Sequence, residues 1–179
     1  STEPPASSGV TTEAGGSVDF TVVLTEAPVS DVSFSVESSD TSEGTVDVSQ
    51  LTFTSSNWNE AQTVTVTGVD DSVVDGSVDY SVVLGVAVTS DSNYSGLDPA
   101  DVSLSNADDD IATLSLDLGN ASVSEGSTLV GVVSRNTDTG SPLTVNLVSG
   151  DPNEASVSGT VTIAAGSESA QFVITGVDD

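Results

Sequence analysis

The chain of 179 residues carries a one-sided charge, with 28 acidic residues against one basic residue and a formal net charge of −27. Because Lys and Arg are almost absent, nucleic acid and anionic membrane surfaces are excluded as partners. The sequence has no His and no Cys, so it forms no disulfide, and zinc and softer metals are disfavoured. Hydrophobic residues make up 36% of the chain and alternate with polar ones, which argues against disorder.

Alternating apolar and polar residues predict an all-β chain. After a linker or tail at 1–9, period-two segments rich in β-branched and aromatic residues follow one another, separated by Gly, Asp, Asn, Ser or Pro. They occupy 18–24, 32–36, 64–67, 78–84 and 102–104, then 111–118, 127–134, 142–148, 155–163 and 168–176. Strands at this spacing are typical of antiparallel β-sandwiches, in which each strand has one buried and one solvated face.

Three sequence elements recur in one order and indicate an internal duplication. The paired elements are 12–17 with 124–127, Asp40 with Asp151, and 67–71 with 175–179. We therefore predict tandem domains at 10–110 and 111–179. The second domain has no counterparts of 77–88 and 100–107, so we expect it to lack its last two strands. Either the chain is a piece of a longer repeat array, or another chain supplies the missing strands by strand addition.

The acidic residues of the first domain are concentrated in alternate connections. Consecutive strands of an antiparallel sandwich run up and down, so alternate connections meet at one end. The acids in question are Glu13, then Asp40, then Asp70, Asp71 and Asp75, and finally Asp108, Asp109 and Asp110 after the last strand. The connections at the other end hold fewer carboxylates. The topology therefore predicts a carboxylate cluster at one end of the domain.

Such a cluster favours a hard cation, because carboxylates crowded without a counterion repel one another. Ca²⁺ accepts about six to eight oxygen ligands in flexible geometry and suits irregular loops, whereas Mg²⁺ demands a tighter octahedron and ranks second. The sequence therefore predicts Ca²⁺ binding. The alternative, in which the acidic loops are solvated and only keep the protein soluble, stays open.

The sequence resembles the Calx-β domain family, in a form common in large bacterial surface and adhesin-like proteins. The matching segments are 12–24, 38–46, 51–71, 74–84 and 107–110, with 124–127 and 174–179 in the second domain. The resemblance implies an immunoglobulin-like sandwich with Ca²⁺ held by acidic loops at one end. The ligands it implies are Glu13, Asp40, Asp70, Asp71, Asp75, Asp108, Asp109 and Asp110, with Glu125, Asp151, Asp178 and Asp179 forming an incomplete second site.

We expect a calcium-binding structural or extender module of a large extracellular bacterial surface or adhesin protein. Asp110 is followed directly by Ile111 with no flexible linker, so Ca²⁺ at this junction is expected to stiffen the tandem array. The expected partners are neighbouring repeats of the same protein. The chain has no His, Cys or Lys to act as base or nucleophile, and 4% aromatic residues, so enzyme activity is not expected.

Two alternatives remain open at this stage. The first is a subunit of an extracellular filament or biofilm matrix, in which copies of the chain assemble by intermolecular strand pairing. The second is an adhesin domain that binds surface glycans through Trp58, which lies between two Asn residues in a loop at the other end of the first domain.

Overall fold

The computed structural model describes residues 9–119 and 122–178, which divide into two compact units. Unit 1 contains the described residues up to Asp71 together with Gly76–Asp109, and unit 2 contains Ser72–Asp75 together with the described residues from Asp110 onward. The tail predicted at 1–9 lies outside the described residues except for Gly9. Nothing in the sequence pattern indicated that Ser72–Asp75 groups with unit 2.

The described part of unit 1 folds into two sheets built from eight strands. They are β1 (Gly9–Thr12), β2 (Ser17–Val22), β3 (Val32–Ser38), β4 (Gly44–Val46), β5 (Gln50–Phe53), β6 (Gln62–Gly68), β7 (Val78–Leu84) and β8 (Val102–Ala107). The larger sheet has the order β1-β8-β7-β3-β5, and the smaller has the order β2-β6-β4. All pairs are antiparallel except β1 with β8, which is parallel.

The core of unit 1 lies between these two sheets. Alternate side chains of each strand point inward, so that Phe34, Phe53, Val64 and Val82 are fully buried while the Ser and Thr residues between them face outward. The rings of Phe34 and Phe53 meet edge to face, with centroids 6.3 Å apart. The predicted all-β sandwich is confirmed, and none of the described residues lies in a helix that could cross a membrane.

Unit 2 contains six strands in its described part. They are β9 (Leu114–Asp117), β10 (Thr128–Arg135), β11 (Leu143–Asn146), β12 (Ala155–Val157), β13 (Thr160–Ile163) and β14 (Ser169–Gly176). One sheet has the order β12-β14-β10-β9 and the other pairs β11 with β13. The described residues of unit 2 include no counterparts of β7 and β8, as predicted.

The prediction of one continuous strand over 155–163 is wrong. The chain leaves β12 at Ser158 and Gly159 and re-enters a strand at Thr160. β12 pairs with β14 in one sheet, whereas β13 pairs with β11 in the other. The strand therefore breaks because the chain crosses from one sheet to the other, as it also does between β4 and β5 of unit 1.

The pairing of β10 with β14 has the same register as the pairing of β2 with β6. At one cross-strand pair the large and the small side chain have changed places. In unit 1, Phe20 of β2 lies opposite Val64 of β6. At the same place in unit 2, Gly131 of β10 lies opposite Phe172 of β14. A Cβ atom on Gly131 would lie 2.5 Å from the Phe172 ring, so only glycine leaves room for it. The duplication is therefore present in three dimensions, and each copy fills its own core.

The single basic residue, Arg135, is buried in unit 2 with a relative exposure of 7%. Its guanidinium donates hydrogen bonds to backbone carbonyls in the neighbouring loops. Nη1 donates to Ser141 O at 2.9 Å, and Nη2 donates to Ser167 O at 3.1 Å and Thr139 O at 3.3 Å. One side chain therefore joins the loop that precedes β11 to the loop that follows β13.

Replacing Arg135 with Ala is expected to destabilise unit 2 by about 2–4 kcal/mol, because several charge-assisted hydrogen bonds are lost together. Hydrogen exchange at β10 and β14 measures this loss. The matched control is Ser115→Ala, an exposed position of the same sheet, which is expected to change stability by less than about 0.5 kcal/mol. Equal effects of the two substitutions would contradict the assigned role.

Candidate metal site

Backbone hydrogen bonds bring the acidic connections together at one end of unit 1. Glu13 N donates to Ala107 O at 3.1 Å, which joins the loop after β1 to the end of β8. Val69 N donates to Glu43 O at 3.0 Å, which joins the loop after β6 to the loop after β3. Gly68 N donates to Gly16 O at 3.0 Å. The structure thus shows the convergence of loops that alternation of strand direction predicts.

Three carboxylates from three of these segments meet within this end of unit 1. Oxygen atoms of Glu13, Asp70 and Asp109 all lie within 4.8 Å of one another. A carboxylate oxygen of Asp108 also lies within 4.8 Å of one from Glu13. Glu13 is buried, with 3% of its surface exposed, whereas Asp70 and Asp109 are exposed. The cluster, defined here as Glu13, Asp70 and Asp109, therefore has a buried inner side and an outer side open to solvent.

A buried hydrogen-bond network lies in the same end of unit 1. The fully buried Asn106 of β8 accepts a hydrogen bond from Thr11 Oγ1 at 3.0 Å. Its amide Nδ2 donates to Val69 O at 2.9 Å and, more weakly, to Glu43 Oε2 at 3.5 Å. The hydroxyl groups of Thr11 and Tyr80 lie 3.0 Å apart. Asn106 therefore fixes the backbone immediately before Asp70 to the strand that leads into Asp108 and Asp109.

Gly68 is required next to this network because the end of β1 and a side chain of β8 approach its backbone closely. A Cβ atom at this position would lie 2.3 Å from Thr12 O and 2.5 Å from Asn106 Oδ1. Gly176 of unit 2 is confined in the same way by Ser124 O at 2.3 Å. The glycine of the repeated Gly-Val-Asp-Asp sequence is thus a packing requirement, and it sets the position of the acids that follow it.

Asp40 is exposed and belongs to neither the cluster nor the buried network. Its carboxylate accepts hydrogen bonds from Ser42 Oγ at 2.5 Å and Ser42 N at 3.0 Å. The hydroxyl of Ser42, followed by its backbone N–H, holds the pKa of Asp40 below its ordinary value. Asp40 thus shapes its own turn, although the resemblance implied a ligand there.

The other predicted ligands of the first domain are in different settings. Asp108 is half-buried, and its Oδ2 accepts a hydrogen bond from Gly76 N at 2.9 Å. Asp71 is exposed in unit 1. Asp75, which is exposed, and Asp110, which is half-buried, both group with unit 2.

In unit 2 the matching acids do not converge in the part of the chain that the structure describes. Glu125, Asp151 and Asp178 are all exposed, and no three carboxylates of this unit come within 4.8 Å. Asp179 lies outside the described residues. Glu125 lacks the burial of Glu13 because the described residues of unit 2 provide no strand in the place of β8, whose Ala107 carbonyl binds Glu13 in unit 1.

The sequence matches no protein-family model and no curated protein. Among solved structures, it is similar to the crystal structure of CBD12 from CALX1.2, with 14% identity, a TM-score of 0.46, and coverage of 99% of this chain and 76% of that one. The calcium binding domain CBD12 of CALX1.1 is 14% identical, with a TM-score of 0.45 and coverage of 100% of this chain and 76% of that one. The E. coli chaperone DraB is 10% identical, with a TM-score of 0.43 and coverage of 96% of this chain and 85% of that one.

Replacing Asn106 with Leu is expected to lower the free energy of unfolding by about 1–3 kcal/mol, because the half-buried Val69 carbonyl and the buried Thr11 hydroxyl both lose their Asn106 partner. Chemical denaturation followed by Trp58 fluorescence measures the change. Ser103→Ala, at an exposed position of the same strand, serves as the control and is expected to cost less than about 0.5 kcal/mol. If Asn106→Leu leaves the free energy of unfolding unchanged, the network does not hold the loops.

Proposed function

We propose that unit 1 binds Ca²⁺ at the cluster and that the chain is a calcium-binding structural module of the Calx-β type. The observation that carries the proposal is the meeting of Glu13, Asp70 and Asp109 from three separate segments within 4.8 Å. Buried Glu13 supplies an oxygen from the protein side, while Asp70 and Asp109 supply oxygens from the solvent side.

The spacing of these oxygens fits calcium chemistry. Ca²⁺–oxygen distances of about 2.3–2.6 Å allow two ligands of one ion to be at most about 5 Å apart, which accommodates oxygens within 4.8 Å. Ca²⁺ prefers oxygen ligands, which carboxylates and backbone carbonyls provide, and it accepts the irregular ligand geometry that loops offer. A bound ion supplies positive charge at this point and a shared partner for the loops that contribute the ligands.

The charge of the chain supports the same proposal. Three clustered carboxylates repel one another and one of them is buried, which costs free energy unless a cation or protons compensate. The only Lys or Arg in the sequence is Arg135, whose guanidinium in unit 2 donates to backbone carbonyls. A soluble cation is therefore the natural counterion, and Ca²⁺ ranks above Mg²⁺ because Ca²⁺ accepts irregular ligand geometry whereas Mg²⁺ demands a near-ideal octahedron.

The setting of this module is a further part of the proposal. We place it at the surface of a bacterium, in a large extracellular adhesin-like protein whose neighbouring repeats are its partners. The acidic composition and the sequence motifs shared with Calx-β domains support this placement. Ca²⁺ bound close to the end of β8 is proposed to stiffen the array, because β8 ends at Ala107 and β9 begins only seven residues later at Leu114.

Trp58, on which the glycan alternative depends, packs partly buried against the core of unit 1. Its carbonyl accepts a hydrogen bond from Leu24 N at 3.0 Å. These contacts give Trp58 a structural role in the core of unit 1, and no observation favours glycan recognition as a second function.

Millimolar Ca²⁺ is expected to raise the melting temperature of unit 1, because an ion that binds only the folded state stabilises it by about 2.7 kcal/mol at one hundred times the dissociation constant. At roughly 4–8 °C per kcal/mol, the shift amounts to about 10 °C or more. Differential scanning calorimetry of the full chain in EDTA, Ca²⁺ and Mg²⁺ measures it.

Matched variants locate the effect. Glu13→Gln and Asp70→Asn are expected to abolish most of the Ca²⁺-dependent shift, whereas Asp31→Asn, an exposed acid at the other end of unit 1, keeps it. All three remove one negative charge, so bulk screening affects them equally. A shift that is the same in all variants, or absent in the parent protein, would contradict the proposed site.

Stiffening predicts a narrower distance distribution between the units in the presence of Ca²⁺. Because the chain has no Cys, Ser55→Cys and Ala165→Cys, both at exposed positions, accept nitroxide labels without competing thiols. Double electron–electron resonance is expected to show a broad distribution in EDTA and a narrower one in Ca²⁺, with Glu13→Gln broad in both. Identical widths in the parent protein would rule out stiffening while leaving Ca²⁺ binding intact.

A further inference from the structure

We infer that the outer edge of β13 in unit 2, the side that faces away from β11, is a self-association surface on which β13 of a second copy of the chain pairs antiparallel to the first. Self-association at this edge goes beyond calcium binding and does not depend on it. The two units differ here, because the equivalent edge of unit 1 is closed by side-chain amides, whereas the described residues of unit 2 place no amide side chain there.

The position of this edge is set by sheet order. β5 is the terminal strand of the larger sheet of unit 1, and that sheet contains β7 and β8. β13 is its equivalent in unit 2, since Phe53 of β5 lies opposite Val32 and Ile163 of β13 lies opposite Leu143. The outer edge of β13 is therefore the side on which the sheet of unit 1 also ends.

Alternate backbone groups at the end of β5 point to the outer edge of unit 1. Val36 N donates to Ser49 O at 2.9 Å, which places this pair among the hydrogen-bonded pairs of β3 with β5. Hydrogen-bonded pairs alternate along an antiparallel ladder. The C=O group of Thr52 and the N–H group of Thr54, which lie between such pairs or beyond them, therefore face away from β3.

Two side-chain amides occupy these outward groups in unit 1. Asn57 Oδ1 accepts a hydrogen bond from Thr54 N at 2.5 Å, and its Nδ2 donates to Thr52 O at 3.4 Å. Gln62 Nε2 donates to the same Thr52 carbonyl at 2.7 Å. A further strand would need these backbone groups for its own hydrogen bonds, so the amides close the edge of β5 against strand addition.

In unit 2 the same alternation turns two threonines outward. Leu147 N donates to Gly159 O at 3.0 Å, so Gly159 and Val161 direct their backbone groups toward β11. The N–H and C=O groups of Thr160 and Thr162 consequently point to the outer edge. β13 thus presents the donors and acceptors that a further strand requires.

The residues that close the edge in unit 1 have no amide counterparts in the described part of unit 2. Asn57 N and Ser167 N each donate to the carbonyl three residues earlier, at 3.3 and 3.1 Å, so Ser167 stands in the place of Asn57. Ala170 stands in the place of Gln62, by the matched registers of β14 with β10 and β6 with β2. The outer edge of β13 is therefore not closed in the way that β5 is.

The sequence of β13 favours a second β13 as the occupant. In an antiparallel pair centred on Val161, Thr160 of each copy lies opposite Thr162 of the other, and their edge-facing groups exchange hydrogen bonds. Thr-Val-Thr reads the same in both directions, so Thr meets Thr and Val meets Val. Unit 2 already contains such a cross-strand pair, because the hydroxyls of Thr144 and Thr162 lie 3.3 Å apart.

The local absence of charge lets two acidic copies approach at this edge. Residues 155–167 include no charged residue, in a chain with a net charge of −27. The terminal strands of the other sheet of unit 2 are less suitable, since β9 carries Asp117 and β12 has only three residues. Because the remaining charges repel the copies at longer range, association is expected to strengthen as added salt screens them.

Sedimentation velocity and amide hydrogen exchange of the full chain in EDTA, over a series of protein and NaCl concentrations, test the association. The mean mass is expected to rise from that of one chain towards that of two as either concentration increases. Thr160 and Thr162 are expected to exchange more slowly as the protein concentration rises. Val161, which already faces β11, and Thr52, in the closed edge of unit 1, are expected to keep their rates and serve as internal controls.

Proline substitutions identify the edge that associates. Thr162→Pro removes an outward N–H, which an edge strand tolerates, and is expected to keep the chain monomeric. Thr144→Pro is the matched control, because Thr144 lies opposite Thr162 and its N–H faces away from β13. Thr144→Pro is expected to associate like the parent protein.

Cysteine substitutions test the same contact with every backbone N–H in place. Two Val161 residues that meet at the two-fold axis have Cα atoms about 4.5 Å apart, which a disulfide spans. Because the chain has no Cys, mild oxidation of Val161→Cys is expected to join two copies. Val145→Cys, opposite Val161 on β11 and also half-buried, is the control and is expected to stay a single chain.

Three results would overturn the inference. They are a chain that stays monomeric at every protein and salt concentration, association that Thr162→Pro leaves unchanged, and equal crosslinking of Val161→Cys and Val145→Cys. The crosslinking result holds even if proline destabilises unit 2. Because every measurement is made in EDTA, a failure here is separate from a failure of the calcium proposal.

Discussion

The placement of β8 between β1 and β7 is the interaction on which the rest of unit 1 depends. Its pairing with β1 extends to Thr12 opposite Ala107, and the Ala107 carbonyl then binds Glu13 N. Inward Asn106 holds the Val69 carbonyl one residue before Asp70. The strand ends directly before Asp108 and Asp109. One strand therefore buries the inner carboxylate, fixes a second loop and delivers further acids to the same place.

The described residues of unit 2 follow the same strand pattern but include no counterpart of β8. Its β10 and β14 keep the register of β2 and β6, and the exchange of sizes at Gly131 and Phe172 preserves local packing. Yet only Val133, Ile163 and Phe172 are buried apolar residues among those described in this unit, and its acids stay apart. The pairing of β10 with β14 needs only those two strands, whereas in unit 1 the acidic loops are held together through β8.

Much of this fold follows from the sequence, because period-two alternation marks the strands and the repeated Gly-Val-Asp-Asp marks equivalent points. The convergence of Glu13, Asp70 and Asp109 followed from strand direction alone. The break inside 155–163 was missed because alternation does not reveal which sheet a strand joins. Asn106 was missed although it continues the inward series of Val102 and Leu104, where a polar residue signals a buried network. The turn at Asp40 depends on its short-range bonds to Ser42, which a ligand motif does not predict.

The central claim is that the acidic end of unit 1 is a calcium site completed by β8. The most direct measurement is a crystal structure of the full chain grown in millimolar Ca²⁺, with anomalous scattering used to locate ions. The account predicts an ion bonded to oxygens of Glu13, Asp70 and Asp109. An ion absent from this cluster, or one held instead by Glu125 and Asp178 of unit 2, would contradict it.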